Sequence, residues 1–89
     1  MDIPKIVSAQ AQTDSLLLLK FSNGVEKIYD CKPLLNMERF ALLQSAAFFR
    51  QVHVDTGGYG ISWNDDIDLS EYELWTNGVV TNADVLVEK

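Results

Sequence analysis

A chain of 89 residues has room for one domain and not two, and its 47% apolar content is that of an ordinary folded domain. Thirteen acidic against seven basic side chains leave a net charge of −6, which works against nucleic acid or an anionic membrane surface as a ligand and keeps the chain soluble. The single cysteine, Cys31, excludes an internal disulfide and fits a reduced compartment. The opening Met1-Asp2-Ile3-Pro4-Lys5 lacks a signal-peptide pattern, and the longest apolar run, residues 16–19, is far short of a membrane span.

Residues 5–12 read as a first strand, although Ile6, Ser8 and Ala11 do not alternate cleanly, and Thr13-Asp14 as a turn. Residues 15–22 form the best-marked strand. Leu17, Leu19 and Phe21 share one face, and Leu16 and Leu18 fall on the other, as in a central strand or one whose second face meets a helix or another subunit. Asn23-Gly24 between two such runs predicts a hairpin with a two-residue type I′ turn, followed by a third strand over 25–30. Pro33 ends that strand.

Over residues 34–47 the period lengthens. Leu35, Phe40, Leu43 and Ala47 fall on one side of a predicted helix, Glu38 and Arg39 lie off it, and Asn36 is its N-cap. Alternation returns over 49–55, with Val52 and Val54 on one side. Thr56-Gly57-Gly58 makes a turn, and residues 59–63 give a further strand with Ile61 and Trp63 inward. Ser70-Glu71-Tyr72-Glu73 fits a capping box, in which Glu73 reaches back to the cap, so a short helix over 71–76 is expected to end near Gly78. The expected fold is α+β: a small, largely antiparallel sheet built from two hairpins, with one main helix and a short C-terminal helix. Residues 1–78 form the domain, and 79–89 a tail or an added edge strand.

The chemistry-bearing residues are few. His53 and Asp55 share a strand face, but a base or metal site needs further positioned partners, and a solvated His is the plainer reading. Asp65, Asp66 and Asp68 fail as a calcium loop, since the sixth residue from Asp66 is Glu71 where glycine is required; they read as a solvated turn, with Asp68 helping to cap the next helix. Cys31 has only Lys32 beside it and reads as a structural thiol. Gly57-Gly58-x-Gly60 lies between strands, which makes it a hairpin turn and not a phosphate cradle. Trp63 belongs to the core. Trp75, with Tyr59 and Tyr72 in the same group of aromatics, is a candidate interface anchor, although packing against the sheet is its plainer reading.

Pro4, then Leu17-x-Leu19-x-Phe21-x-Asn23-Gly24, Phe49-x-x-Val52-x-Val54, Ile61-x-Trp63 and Asp68-Leu69-Ser70, in that order, resemble the bacterial domain-of-unknown-function 2442 family over residues 4–74. Where that family usually has a proline or similar turn residue after its tryptophan, this chain has Asn64-Asp65-Asp66. The resemblance implies a compact α+β domain with no established activity and no catalytic residues to carry over. Some relatives are joined to a helix-turn-helix segment and others are encoded beside another small domain, which implies a regulatory or partner-binding role. The stretch after Leu74 is short for a helix-turn-helix.

The expectation is therefore a cytoplasmic, non-enzymatic binding or regulatory domain without cofactor or metal. It acts through a protein partner or as a homo-oligomer, with no direct contact to nucleic acid or membrane. Leu16, Leu18 and Trp75 are the candidate interface, because so few helices cover only one face of a sheet. A DNA-associated regulator component and an enzyme with an unrecognised site are the alternatives.

Overall fold

A computed structural model describes residues 3–13 and 15–81. Alternation along β2 (Leu16–Phe21), which follows β1 (Ile6–Ala11), sends Leu17, Leu19 and Phe21 into the core, none more than 1% exposed. The imperfect alternation of β1 has a structural cause. Ile6 pairs with Phe21 but Ser8 with Lys20, so Val7 is an extra bulged residue, pushed outward and 58% exposed. Of the turn expected at Thr13-Asp14, Asp14 lies outside the described residues.

The hairpin into β3 (Glu26–Asp30) is present, but its turn differs from expectation. The Gly24 N–H donates to Phe21 O and the Phe21 N–H to Val25 O, both at 2.9 Å, which closes a three-residue loop. A type I′ turn needs positive φ at both central residues. Only Gly24 has it, at +89°, and no described non-glycine residue does. Asn23 keeps the cheaper negative φ, and its Oδ1 accepts from the Val25 N–H at 3.1 Å.

The single helix expected over 34–47 is replaced by three shorter pieces. Two 3-10 helices, Lys32–Asn36 and Glu38–Gln44, precede a one-turn α1 (Ala46–Phe49), with extended backbone at Met37 (ψ 132°) and Ser45 (ψ 119°) between them. Asn36 ends the first piece and caps nothing; Ser45 caps α1 by accepting from the Phe48 N–H at 3.3 Å. The buried pair, Phe40 and Leu43, is three residues apart. Three residues per turn stack such a pair on one side, whereas Ala47, required for the longer stripe, is exposed.

The strand expected from residue 49 begins late, because Phe49 closes α1: β4 is His53–Val54, followed by β5 (Gly60–Ser62) and β6 (Asp68–Ser70). Helix α2 (Glu71–Asn77) follows, then β7 (Val79–Val80). Ser70 Oγ accepts from the Glu73 N–H at 3.1 Å, so half of the expected capping box is present. Ser70 fills the capping role and not Asp68, which is exposed on β6.

The fold is α+β with antiparallel pairing throughout, but in two sheets and not one. Their strand orders are β1-β2-β3-β7 and β4-β5-β6. The short strands β4, β5 and β6 pair with one another and meet the larger sheet through the core. Phe49 and Trp63 stack there at 5.9 Å, and the Trp63 indole donates to Phe49 O at 2.8 Å. Ile61, Leu69 and Leu74 complete the cover over Leu17, Leu19, Phe21 and Tyr29. Among the described residues, no helix is long and apolar enough to cross a membrane.

Candidate functional site

The same alternation that buries Leu17 and Leu19 turns Leu16 and Leu18 to the opposite face of the larger sheet. Cross-strand register then builds a row. Leu18 stands opposite Ile28, and Ile28 opposite Val79, so three strands contribute adjacent apolar side chains. Leu16, Leu18 and Ile28 are half-buried, Val79 is 68% exposed, and none of the four belongs to the core cluster. Lys20 and Glu26 close one end of the row, with 3.8 Å between their charged groups.

At the other end the row opens into a groove of about 430 Å³ between β3, the first 3-10 helix and α2. Ile28, Pro33, Leu34 and Val79 supply apolar walls, and Asp30, Glu73 and Asn77 the polar rim. Glu73 does not reach back to its own cap. Its Oε2 instead accepts from the Tyr29 hydroxyl at 2.8 Å. Burial, then that bond and the charge of Glu73, hold the Tyr29 pKa far above its ordinary value.

The family model described as "Protein of unknown function (DUF2442)" matches residues 6–79. The chain belongs to that family. No curated protein and no solved structure matches the chain. The DUF2442 region contains the whole apolar row and every residue that lines the groove.

Of the three residues expected to share an interface, the fold of this DUF2442 chain brings Leu16 and Leu18 together and separates Trp75 from them. Trp75 packs edge-on against Phe21, with ring centroids 5.0 Å apart, on the core side of the sheet. Beneath it lies Lys27, only 7% exposed, whose ammonium sits 3.9 Å from the Trp75 ring centroid and donates to Trp75 O near the C-terminus of α2. Burial lowers the Lys27 pKa.

The other candidates stay apart. His53 is exposed, and Asp55 accepts from the Ser62 hydroxyl at 2.7 Å. Asn64 Oδ1 holds the acidic turn by accepting from the Asp66 and Ile67 N–H groups, and no described cluster of His, Cys, Asp and Glu could hold a metal. Cys31 is fully buried, and its thiol is pushed up to about 12 by burial and by the nearby Asp30 charge. Tyr59 and Tyr72 are exposed; Lys5 lies over the Tyr59 ring at 4.1 Å and pairs with Glu71 at 3.0 Å.

Ile28, Val79 and the groove were not among the sequence candidates. The parity of Ile28 with Leu18 was legible in principle, but the register that makes them neighbours was not. Glu73 carried a capping signal that concealed its contact with Tyr29.

Proposed function

We propose that this chain is a non-enzymatic, cytoplasmic binding or regulatory domain that docks a protein partner on the outer face of its larger sheet. The observation that carries this reading is the apolar row Leu18–Ile28–Val79, with Leu16 beside it, standing outside the core cluster. Surface apolar groups gathered side by side, and not scattered, are the usual mark of an interaction site. The net charge of −6 supports a protein partner over nucleic acid. The test is affinity isolation from the native cell with the wild-type chain beside a Leu18→Lys/Ile28→Lys double variant, with circular dichroism to verify folding. Loss of specific partners from a folded double variant supports the reading. An unchanged set of partners overturns it. Light scattering of both chains separates self-association from a foreign partner.

A further inference from the structure

The groove at the Asp30 end of β3 has features that the rest of the apolar face lacks, and a role for it rests on the protein-docking reading proposed for that face. The Thr81 N–H donates to Glu26 O at 2.9 Å, which shows which β3 residues turn their main-chain groups toward β7. By the alternation of an antiparallel ladder these are Glu26, Ile28 and Asp30. Val79 stands opposite Ile28 and Val80 opposite Lys27, whereas Asp30 has no counterpart in β7. The main chain of Asp30 is thus without a β7 partner where it lines the groove. At that end the residues before Val79, Gly78 and Asn77, turn into α2, so they do not carry the ladder on to Asp30.

The charge at the groove has one sign. Asp30 and Glu73 both line it, and among the described residues no lysine or arginine does. Glu73 is fixed in place by the Tyr29 hydroxyl on one oxygen, and a carboxylate accepts more hydrogen bonds than that. Ile28, Leu34 and Val79 line the same groove and supply its apolar part. A second copy of a chain carrying −6 is repelled by such a rim, whereas a basic segment is attracted to it.

We propose that this groove takes an extended segment of a partner protein. The segment pairs its main chain with β3 at Asp30, seats an apolar side chain between Ile28, Leu34 and Val79, and places a lysine or arginine against Asp30 and Glu73. Main-chain pairing at an open edge supplies affinity, and the alternating side chains supply selectivity.

The test uses the full chain, isotopically labelled, titrated with end-blocked hexapeptides and followed by NMR. One peptide alternates lysine with valine, a second alternates glutamate with valine, and a third alternates lysine with serine. Binding of the first peptide with shifts centred on Ile28, Asp30, Leu34 and Val79, weakened about tenfold or more for the other two, supports the proposal. An Asp30→Asn/Glu73→Gln variant, which keeps an acceptor for Tyr29, is expected to lose about tenfold for the lysine–valine peptide only. Equal binding of all three peptides, shifts centred elsewhere, or no shifts at millimolar peptide overturns it. If the peptides fail while Leu18→Lys/Ile28→Lys still strips native partners, the groove assignment falls and the outer-face reading stands. If both fail, the reading itself falls.

Discussion

The Tyr29 hydroxyl donates to Glu73 Oε2 at 2.8 Å and so joins the middle of the larger sheet to the first turn of α2 across 44 positions of sequence. Tyr29→Phe removes the donor and leaves a part-buried carboxylate to rehydrate. We expect a loss of about 1 kcal/mol in urea unfolding, with a smaller loss for Glu73→Gln, which keeps an acceptor. A larger effect for Glu73→Gln than for Tyr29→Phe would mean that the charge and not the bond matters.

Stability is expected to fall on the alkaline side. The Cys31 thiol moves from an ordinary 9.0 up to about 12 through burial and then the Asp30 charge, and the Tyr29 hydroxyl is raised above its ordinary 10.0 by burial and then by Glu73. For both groups the folded state holds a proton that the unfolded chain releases. Their contribution is complete below the unfolded pKa and is lost as pH rises through the folded one. Lys27 acts in the opposite sense: burial lowers it from 10.5, so its penalty is relieved as the pH rises. With two groups against one, the urea midpoint is expected to drop between about pH 9 and pH 11, and a Cys31→Ala/Tyr29→Phe variant to show a flatter profile.

Two glycines with left-handed backbone are expected to respond differently to alanine. Gly24 (φ +89°) would place its Cβ in open space, so Gly24→Ala costs only the backbone strain, about 1 kcal/mol. Gly58 (φ +77°) would bring the Cβ to 2.6 Å from Ile6 O, where the turn between β4 and β5 seats against β1. Gly58→Ala is expected to cost several-fold more, and a pair of thermal unfolding curves separates the two.

Adjacent leucines on β2 test which face is free. Leu18→Lys puts a charge on the half-buried outer face and is expected to cost about 1 kcal/mol or less, whereas Leu19→Lys buries an unpaired charge in the core and is expected to abolish folding. Comparable losses at both positions would show that the outer face is covered.

The two aromatic side chains read as core from sequence, Phe21 and Trp63, are 1% and 5% exposed. Truncation of either to alanine is expected to cost about 3–5 kcal/mol. For Trp63, replacement by phenylalanine isolates the indole bond to Phe49 O and is expected to cost about 1–2 kcal/mol.

The strands were legible because a period of two sorts residues such as Leu16 and Leu17 onto opposite faces without knowledge of what lies there. The Ser70 cap was legible because its contact with the Glu73 N–H spans three residues. The helical segment was misread because Phe40 and Leu43 fit both a 3-10 and an α repeat, and only the extended backbone at Met37 and Ser45 separates them. Of the candidate site, Leu16 and Leu18 were visible. For Trp75 the sequence leaves an interface and packing against the sheet both open, since the face it meets depends on how α2 docks against Phe21. The groove was invisible, being made of segments that meet only after the sheet and α2 assemble.

Lys27 gives the molecule an internal gauge of that assembly. Its amine is covered by the Trp75 ring and committed to a carbonyl of α2, while Lys20 and Lys32 stand in solvent. An amine-reactive label therefore modifies Lys20 and Lys32 in the folded chain and reaches Lys27 only when α2 lifts from the sheet. The labelling rate of Lys27 relative to Lys20 reads how often α2 leaves the sheet, by local lifting and by unfolding together.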